Sequence, residues 1–459
     1  MKIDDFNRMA EAANDIRLDT EFMRLSRGAE NQLEGDVESA RAFNKAEAYT
    51  INGEGWNPED AIHAYEGLYQ HQVLPHIIKR ANELGADAVV FLIWDGVNYR
   101  QAKIVNDYYL DGDELQTHLE PVVVRPPAMT AWGHYRLLHG TETYAGLARA
   151  LRCDRAYSWH TPLAAWGFAN GVLDEDTIKD DDWQATVREQ LAEQTSALLS
   201  AFVQPGFVYG YTGVNVAPIA EHTIPTFNQA MEMSGAEQTK AGSRGEAQQA
   251  REIQQFLRKS ADYDGAFLLS RYSLDSKKTQ DHNAIIGSGH VQGPFHDQLI
   301  HHIAEVWQRT VRLIQENSPF TRTLLVATSD HGMTNTFDDL RDPESNGTMP
   351  TSGFMRQKHR MAGPGEKHPG TPWFSNRGIF IDSPDDYQSV RDRVHQNNAT
   401  MFQQVGDLMP RCTQIHDGLF FSSLEHGFSM DKQLGDHGGD GFDDLIVPYM
   451  EKLIQKDDA

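Results

Sequence analysis

Continuously apolar runs of strand length alternate with amphipathic stretches of helical period along much of the chain, and this alternation predicts an α/β architecture. Asp87 to Trp94 (DAVVFLIW) is the clearest buried strand, apolar throughout as a central parallel strand should be. Further strand-like runs are PVVVRPP after position 120, Ala266 to Leu274 (AFLLSRYSL), Thr323 to Ser329 (TLLVATS), Gly378 to Asp382 and a run within FDDLIVPYM. Ile300, Ile303, Trp307, Val311 and Ile314 recur at helical spacing ahead of the 323 strand. The resulting βαβ rhythm predicts a mostly parallel central sheet flanked by helices. Residues 1–85 read as helical and acidic. They end in the amphipathic stretch AIHAYEGLYQHQVLPHIIKRANELG, which Gly85 closes as a C-cap, and they are expected to cover one side of the sheet. AWGHYRLLHG predicts a helix ending at Gly140. Residues 141–262 are polar, with a Gln/Glu/Ala-rich stretch and little strand punctuation, so they are expected to form a largely helical cap insertion. The core is then 86–140 together with 263–459.

Composition narrows the partners. The 459 residues, 39% hydrophobic and 10% aromatic, suffice for one large α/β unit carrying insertions. A formal charge of −25 repels phosphate backbones and anionic lipid, which argues against extended nucleic acid and membrane surfaces as partners. An anionic substrate therefore has to be drawn in by bound cations or by a local basic patch. Lys358, His359, Arg360, Lys367 and His368 form the most basic stretch, read either as a solvated loop or as a substrate-anion contact. Cys153 and Cys412, the two cysteines, exclude a disulfide framework and a cysteine-based zinc finger. The start of the chain lacks a basic-then-apolar signal pattern and no run reaches the length of a membrane span, so a cytoplasmic location is expected.

The candidate chemistry sits at the strand ends. Ser329-Asp330-His331-Gly332 places a carboxylate and an imidazole side by side where a buried strand emerges, the donor pair that holds zinc, manganese or iron. Asp95-Gly96 closes the first core strand, where open α/β sheets place their ligands. Asp275 ends another strand, and His290 stands in GHVQGP beyond it. Thr130 precedes a helix N-terminus, a position that favours an oxyanion or phosphate. His437 lies in the Gly-rich loop DHGG before the last strand-like run. Taken singly, these groups read as N-caps and polar turns. Three buried carboxylates on one sheet edge, however, repel one another unless cations sit between them. Two divalent metals resolve that repulsion, and a pair about 4 Å apart suits phosphoryl displacement.

The motifs FLIWDG, PPAMTAWGHYRLLHG, YSLD with GHVQGP, and ATSDHGM resemble the alkaline phosphatase superfamily, in particular its type I phosphodiesterase and nucleotide pyrophosphatase branch. DHGGDGFDDLIVP resembles the final His motif of phosphomutases, phosphonate hydrolases and the phosphatase-like domain of bacteriophage-exclusion proteins. The resemblance runs in the family's order over 87–450. It implies an alkaline phosphatase-like fold in which Asp95, Thr130, Asp330 and His331 hold one metal, and Asp275, His290 and His437 the other. The two divalent ions are expected to be zinc, with manganese or magnesium as alternatives. By the same resemblance Thr130, deprotonated by its metal, attacks phosphorus and forms a phosphothreonine, on a small phosphorylated or nucleotide substrate.

Two departures stand out. The family sets the Asp and His of the second metal close in sequence, whereas Asp281-His282 lie between Asp275 and His290 here, which makes His282 the alternative ligand. Residues 141–262 match no cap of the family, so the resemblance does not carry over a substrate. A cofactor-independent phosphomutase and a non-hydrolytic component of a defence or assembly complex are the competing readings. A sulfatase is disfavoured, because Cys153-Asp154-Arg155 lacks the following proline that formylglycine formation needs.

Overall fold

The computed structural model describes residues 1–17, 55–110, 117–126, 128, 130–139, 197–212, 246–273, 296–335, 338–339, 372–374, 378–381, 411–415, 418–422, 426–427 and 435–456. The chain opens with α1 (Ile3–Arg17) and α2 (Pro58–Ala64), followed by β1 (Leu68–Tyr69) and α3 (Val73–Leu84). The stretch read as one amphipathic helix is thus broken in two. Asn57 accepts the Glu59 N–H at the start of α2, Pro58 occupies its first turn, and the GLYQ segment leaves helical geometry to add an edge strand. Gly85 closes α3 in the left-handed conformation (φ 59°, ψ 42°) and donates its N–H to Ala81 O, as the sequence predicts.

Next come β2 (Ala88–Asp95), α4 (Tyr99–Tyr109), β3 (His118–Val123), α5 (Thr130–His139), β4 (Phe207–Thr212), α6 (Glu246–Lys259), β5 (Gly265–Ser273), α7 (His296–Asn317) and β6 (Arg322–Ser329). Short strands follow: β7 (Thr334–Asn335), β8 (Asp338–Asp339), β9 (Pro372–Phe374), β10 (Gly378–Ile381), β11 (Arg411–Ile415), β12 (Gly418–Ser422), β13 (His426–Gly427) and β14 (Gly435–Asp436). The one-turn helix α8 (Phe442–Leu445) and β15 (Ile446–Gln455) complete the described chain.

The main sheet has seven strands in the order β1-β3-β15-β6-β2-β5-β4. β2 pairs in parallel with β5 and β6, β4 with β5, and β1 with β3; β15 runs antiparallel to both its neighbours. The sheet is therefore mixed and mostly parallel, with one reversed strand in its interior. Phe207–Thr212 (FVYGYT), inside the stretch read as an insertion, supplies an edge strand, in keeping with its aromatic and β-branched composition.

Helices cover both faces. Alternate β2 residues Val89, Phe91 and Ile93 pack with α1, α2, α3 and α5, while Val90, Leu92 and Trp94 pack with α4, α6 and α7. The five residues read as the buried stripe of the long helix, Ile300 to Ile314, are all buried in α7. β9–β12 form a separate antiparallel sheet in the order β11-β12-β10-β9. Among the described residues, no helix is long and apolar enough to cross a membrane.

Candidate metal centre

The parallel register of β2 and β6 sets Trp94 opposite Ser329, so both strands stop at the same level. Past that level, Gly96 takes φ 79° and turns the chain away at once, leaving Asp95 at the strand tip. The two ends are laced together. Ser329 Oγ lies 2.6 Å from the carbonyls of both Trp94 and His331 and accepts the Val97 N–H at 3.0 Å, and Gln70 Nε2 donates to Asp330 O at 2.6 Å. Gly332 is required for closeness: a Cβ there would stand 2.0 Å from the Asp443 carbonyl oxygen, and the Gly332 N–H donates to Asp444 O at 3.0 Å.

On this frame Asp95, Asp330 and His331 converge. Each is fully buried, and one ligand atom from each lies within 4.8 Å of the other two. His331 Nε2 stands 3.1 Å from Asp95 Oδ1 and 3.8 Å from Asp330 Oδ1. His331 Nδ1 is 2.9 Å from Gly332 O. That carbonyl can only accept, so a proton on Nδ1 would satisfy it and leave Nε2 to ligate a cation placed between the ring and the two carboxylates. A ring held in this tautomer by a backbone carbonyl is arranged as metal-ligating histidines are.

A dication fits the donors present. Asp330 Oδ2 is buried and accepts no hydrogen bond among the described residues. Two buried carboxylates, with the Arg271 guanidinium on one of them, leave negative charge that a divalent cation offsets. Oxygen and nitrogen donors of this kind suit zinc, manganese or magnesium.

Two further side chains complete the surroundings. His134, on α5, puts Nε2 3.4 Å from Asp330 Oδ2. Arg271, on β5, places its guanidinium on Asp95 Oδ2. Sequence reasoning missed both, although each left a signal. His134 falls four residues after Thr130, hence on the same helical face, and Arg271 is the one charge inside an otherwise strand-like run.

The other sequence candidates fall as follows. His437 stacks on His331 with ring centroids 4.0 Å apart and planes at 21°, and its Nδ1 is 3.3 Å from Ala128 O. Its loop is held by Asp444, whose carboxylate accepts the N–H groups of Gly439 and Gly441, and by Trp56, whose indole donates to Asp440 O at 2.9 Å. Thr130 is the first residue of α5, and one turn later Gly133 packs so tightly that a Cβ would stand 2.0 Å from Asp330 O. Asp275, His282 and His290 lie outside the described residues, as does the basic stretch at 358–368.

No family model matches the chain, and no curated protein matches it. Solved structures similar to it include murine ectonucleotide pyrophosphatase/phosphodiesterase 5 (14% identity, TM-score 0.41) and its human counterpart (13%, TM-score 0.42). An inactive variant of the murine protein in complex with AMP is also similar (12%, TM-score 0.43). Each comparison covers 80% of this chain and 87% of the other.

Proposed function

We propose that the chain is a metal-dependent phosphoester hydrolase with two divalent ions at the rim of its sheet. The observation that carries this reading is the convergence of Asp95, Asp330 and His331 at the adjoining ends of two parallel strands, buried and with one carboxylate oxygen of Asp330 that accepts no hydrogen bond among the described residues. The motif order described above supports it. Asp95, Asp330, His331 and Thr130 would hold one ion, and Asp275, His290 and His437 the other. Dications at such a centre supply Lewis-acid stabilisation to the entering and leaving oxygens of a displacement at phosphorus.

The protein's own groups do the rest. Positions 130 and 134 share one face of α5, and the contact of His134 with Asp330 turns that face toward the carboxylates. Thr130 Oγ1 would form the new bond to phosphorus as the bond to the leaving alcohol or nucleotide oxygen breaks, and the threonine proton ends on that leaving oxygen. Water then cleaves the phosphothreonine, returning the threonine hydroxyl and releasing the phosphorylated product. Asp95 and His331 keep the site dry and fixed, so that positioning and electrostatics carry the acceleration.

The test is release of p-nitrophenol from mono- and bis-p-nitrophenyl phosphate by purified protein loaded with zinc, manganese or magnesium. Turnover that vanishes on chelation and returns with metal is the expected result. No turnover at full metal occupancy overturns it. An isomerised phosphorylated product without free phosphate would instead identify a mutase.

A further inference from the structure

We infer that Arg271 is the substrate-anion ligand of this centre and that it competes with the bound dication for Asp95. The inference rests on the phosphoester reading and adds a specificity-determining side chain to it.

Arg271 faces Ile93 in the β2–β5 register, so its side chain leaves the sheet on the same face as Asp95, two residues further along β2. Its guanidinium contacts Asp95 Oδ2, while Asp95 Oδ1 faces His331 Nε2. The two oxygens of one carboxylate are thus divided between a fixed cation and the metal-directed imidazole. Asp95, Asp330 and His331 are wholly buried, whereas Arg271 stays 14% exposed and is the group of this set that reaches solvent. Arg100, by contrast, is fully buried against Asp443 at 3.1 Å and serves as a structural pair.

Charge decides the role. At the ion that Asp95 and Asp330 would hold, the two carboxylates balance the dication, so that half of the proposed centre has no net charge of its own to draw an anion. Arg271 adds one positive unit at that ion, in a chain whose overall charge of −25 repels anions. A guanidinium is always charged and presents paired donors that match two oxygens of a phosphoryl group, so the ligand it selects is a phosphate ester with two free non-bridging oxygens. Asp95 cannot fully serve both cations. When a dication draws on Asp95, the guanidinium contact weakens and its donors turn to the incoming anion.

The experiment is titration of the full-length protein with Mn²⁺, and separately with inorganic phosphate in the presence and absence of Mn²⁺, for the unsubstituted chain, Arg271→Gln and Arg271→Lys. Arg271→Gln is expected to bind Mn²⁺ as tightly or more tightly and to bind phosphate about 10- to 100-fold more weakly, with Arg271→Lys between. Phosphate affinity unchanged in Arg271→Gln overturns the inference. So does a loss of Mn²⁺ affinity in both variants alongside a lowered melting temperature, which would mark Arg271 as structural support for Asp95. Failure of the unsubstituted protein to bind Mn²⁺ would overturn the metal reading itself, a separate outcome.

Discussion

His331 Nε2 lies 3.1 Å from Asp95 Oδ1, a contact between residues far apart in sequence that exists because β2 and β6 are adjacent parallel strands ending at one level. Removing either partner, or Asp330, takes a donor from the cation and leaves charge buried without compensation. Asp330→Ala and His331→Ala are expected to lower metal affinity by more than about 100-fold and to abolish phosphoester cleavage. Metal content after gel filtration, read alongside p-nitrophenol release, checks this.

Thr130→Ala separates chemistry from metal binding. Turnover should fall by at least about 1,000-fold while most bound metal is kept, because the carboxylates and imidazole remain. Full activity in that variant rules out the threonine mechanism, whatever the metal content.

His134 stands 3.4 Å from the second oxygen of Asp330, on the adjoining helix. We expect His134→Ala to weaken metal binding by about 10- to 100-fold, the usual effect of losing a partner that orients a ligand. His134→Gln should recover part of the loss. Competition against a chelator of known affinity reads both.

Gly332→Ala is a steric test of the frame. The added methyl would meet the Asp443 carbonyl, so β6 and the α8 turn must separate, at a cost of about 1–3 kcal/mol or more. A lowered denaturant midpoint together with reduced metal affinity is the expected pair of changes.

A polar cluster under α3 governs pH dependence away from the centre. Burial pushes the Glu451 carboxyl up, but hydrogen bonds from Arg80 and Tyr449, with the Arg80 charge, outweigh it and hold Glu451 below the ordinary value of 4.5. Across the strand pair, burial raises Glu120, the nearby His118 opposes it, and Glu451 adds to the rise. His76, against Glu120, is lowered chiefly by burial. The signs differ. Glu451 contributes stability that is full above 4.5 and is lost as pH falls through its lower folded value. Ionised Glu120 costs stability at neutral pH and relieves that cost as acid protonates it. Urea midpoints measured from pH 8 to pH 3 should therefore show Glu120→Gln stabilised at neutral pH, and Glu451→Gln destabilised there with a flatter acid limb.

The sequence made the central layer legible because burial on both faces removes the polar alternation that blurs other strands. Asp87–Trp94 and Thr323–Ser329 were found within a residue or two of β2 and β6, and their terminal Asp95, Asp330 and His331 do meet. What stayed hidden was set by tertiary pairing. A two-residue edge strand such as β1 has no period to detect, and β4 lies in a stretch whose surroundings are polar. His134 and Arg271 carried local signals that only the neighbouring strand ends turn into roles. The reversed direction of β15 could not be read at all, since a strand buried on both faces has the same apolar signature either way.

That reversed strand also joins two parallel parts of the sheet. β1-β3 and β6-β2-β5-β4 are hydrogen-bonded to each other only by way of β15, which arrives more than half the chain after β3. Without β15, β3 and β6 would each present an unpaired edge of the kind that pairs with other chains. The same terminal segment brings Asp444 to Gly332 and His437 to His331, so the join between the two parts of the sheet and the contacts that flank the candidate centre come from one stretch of chain.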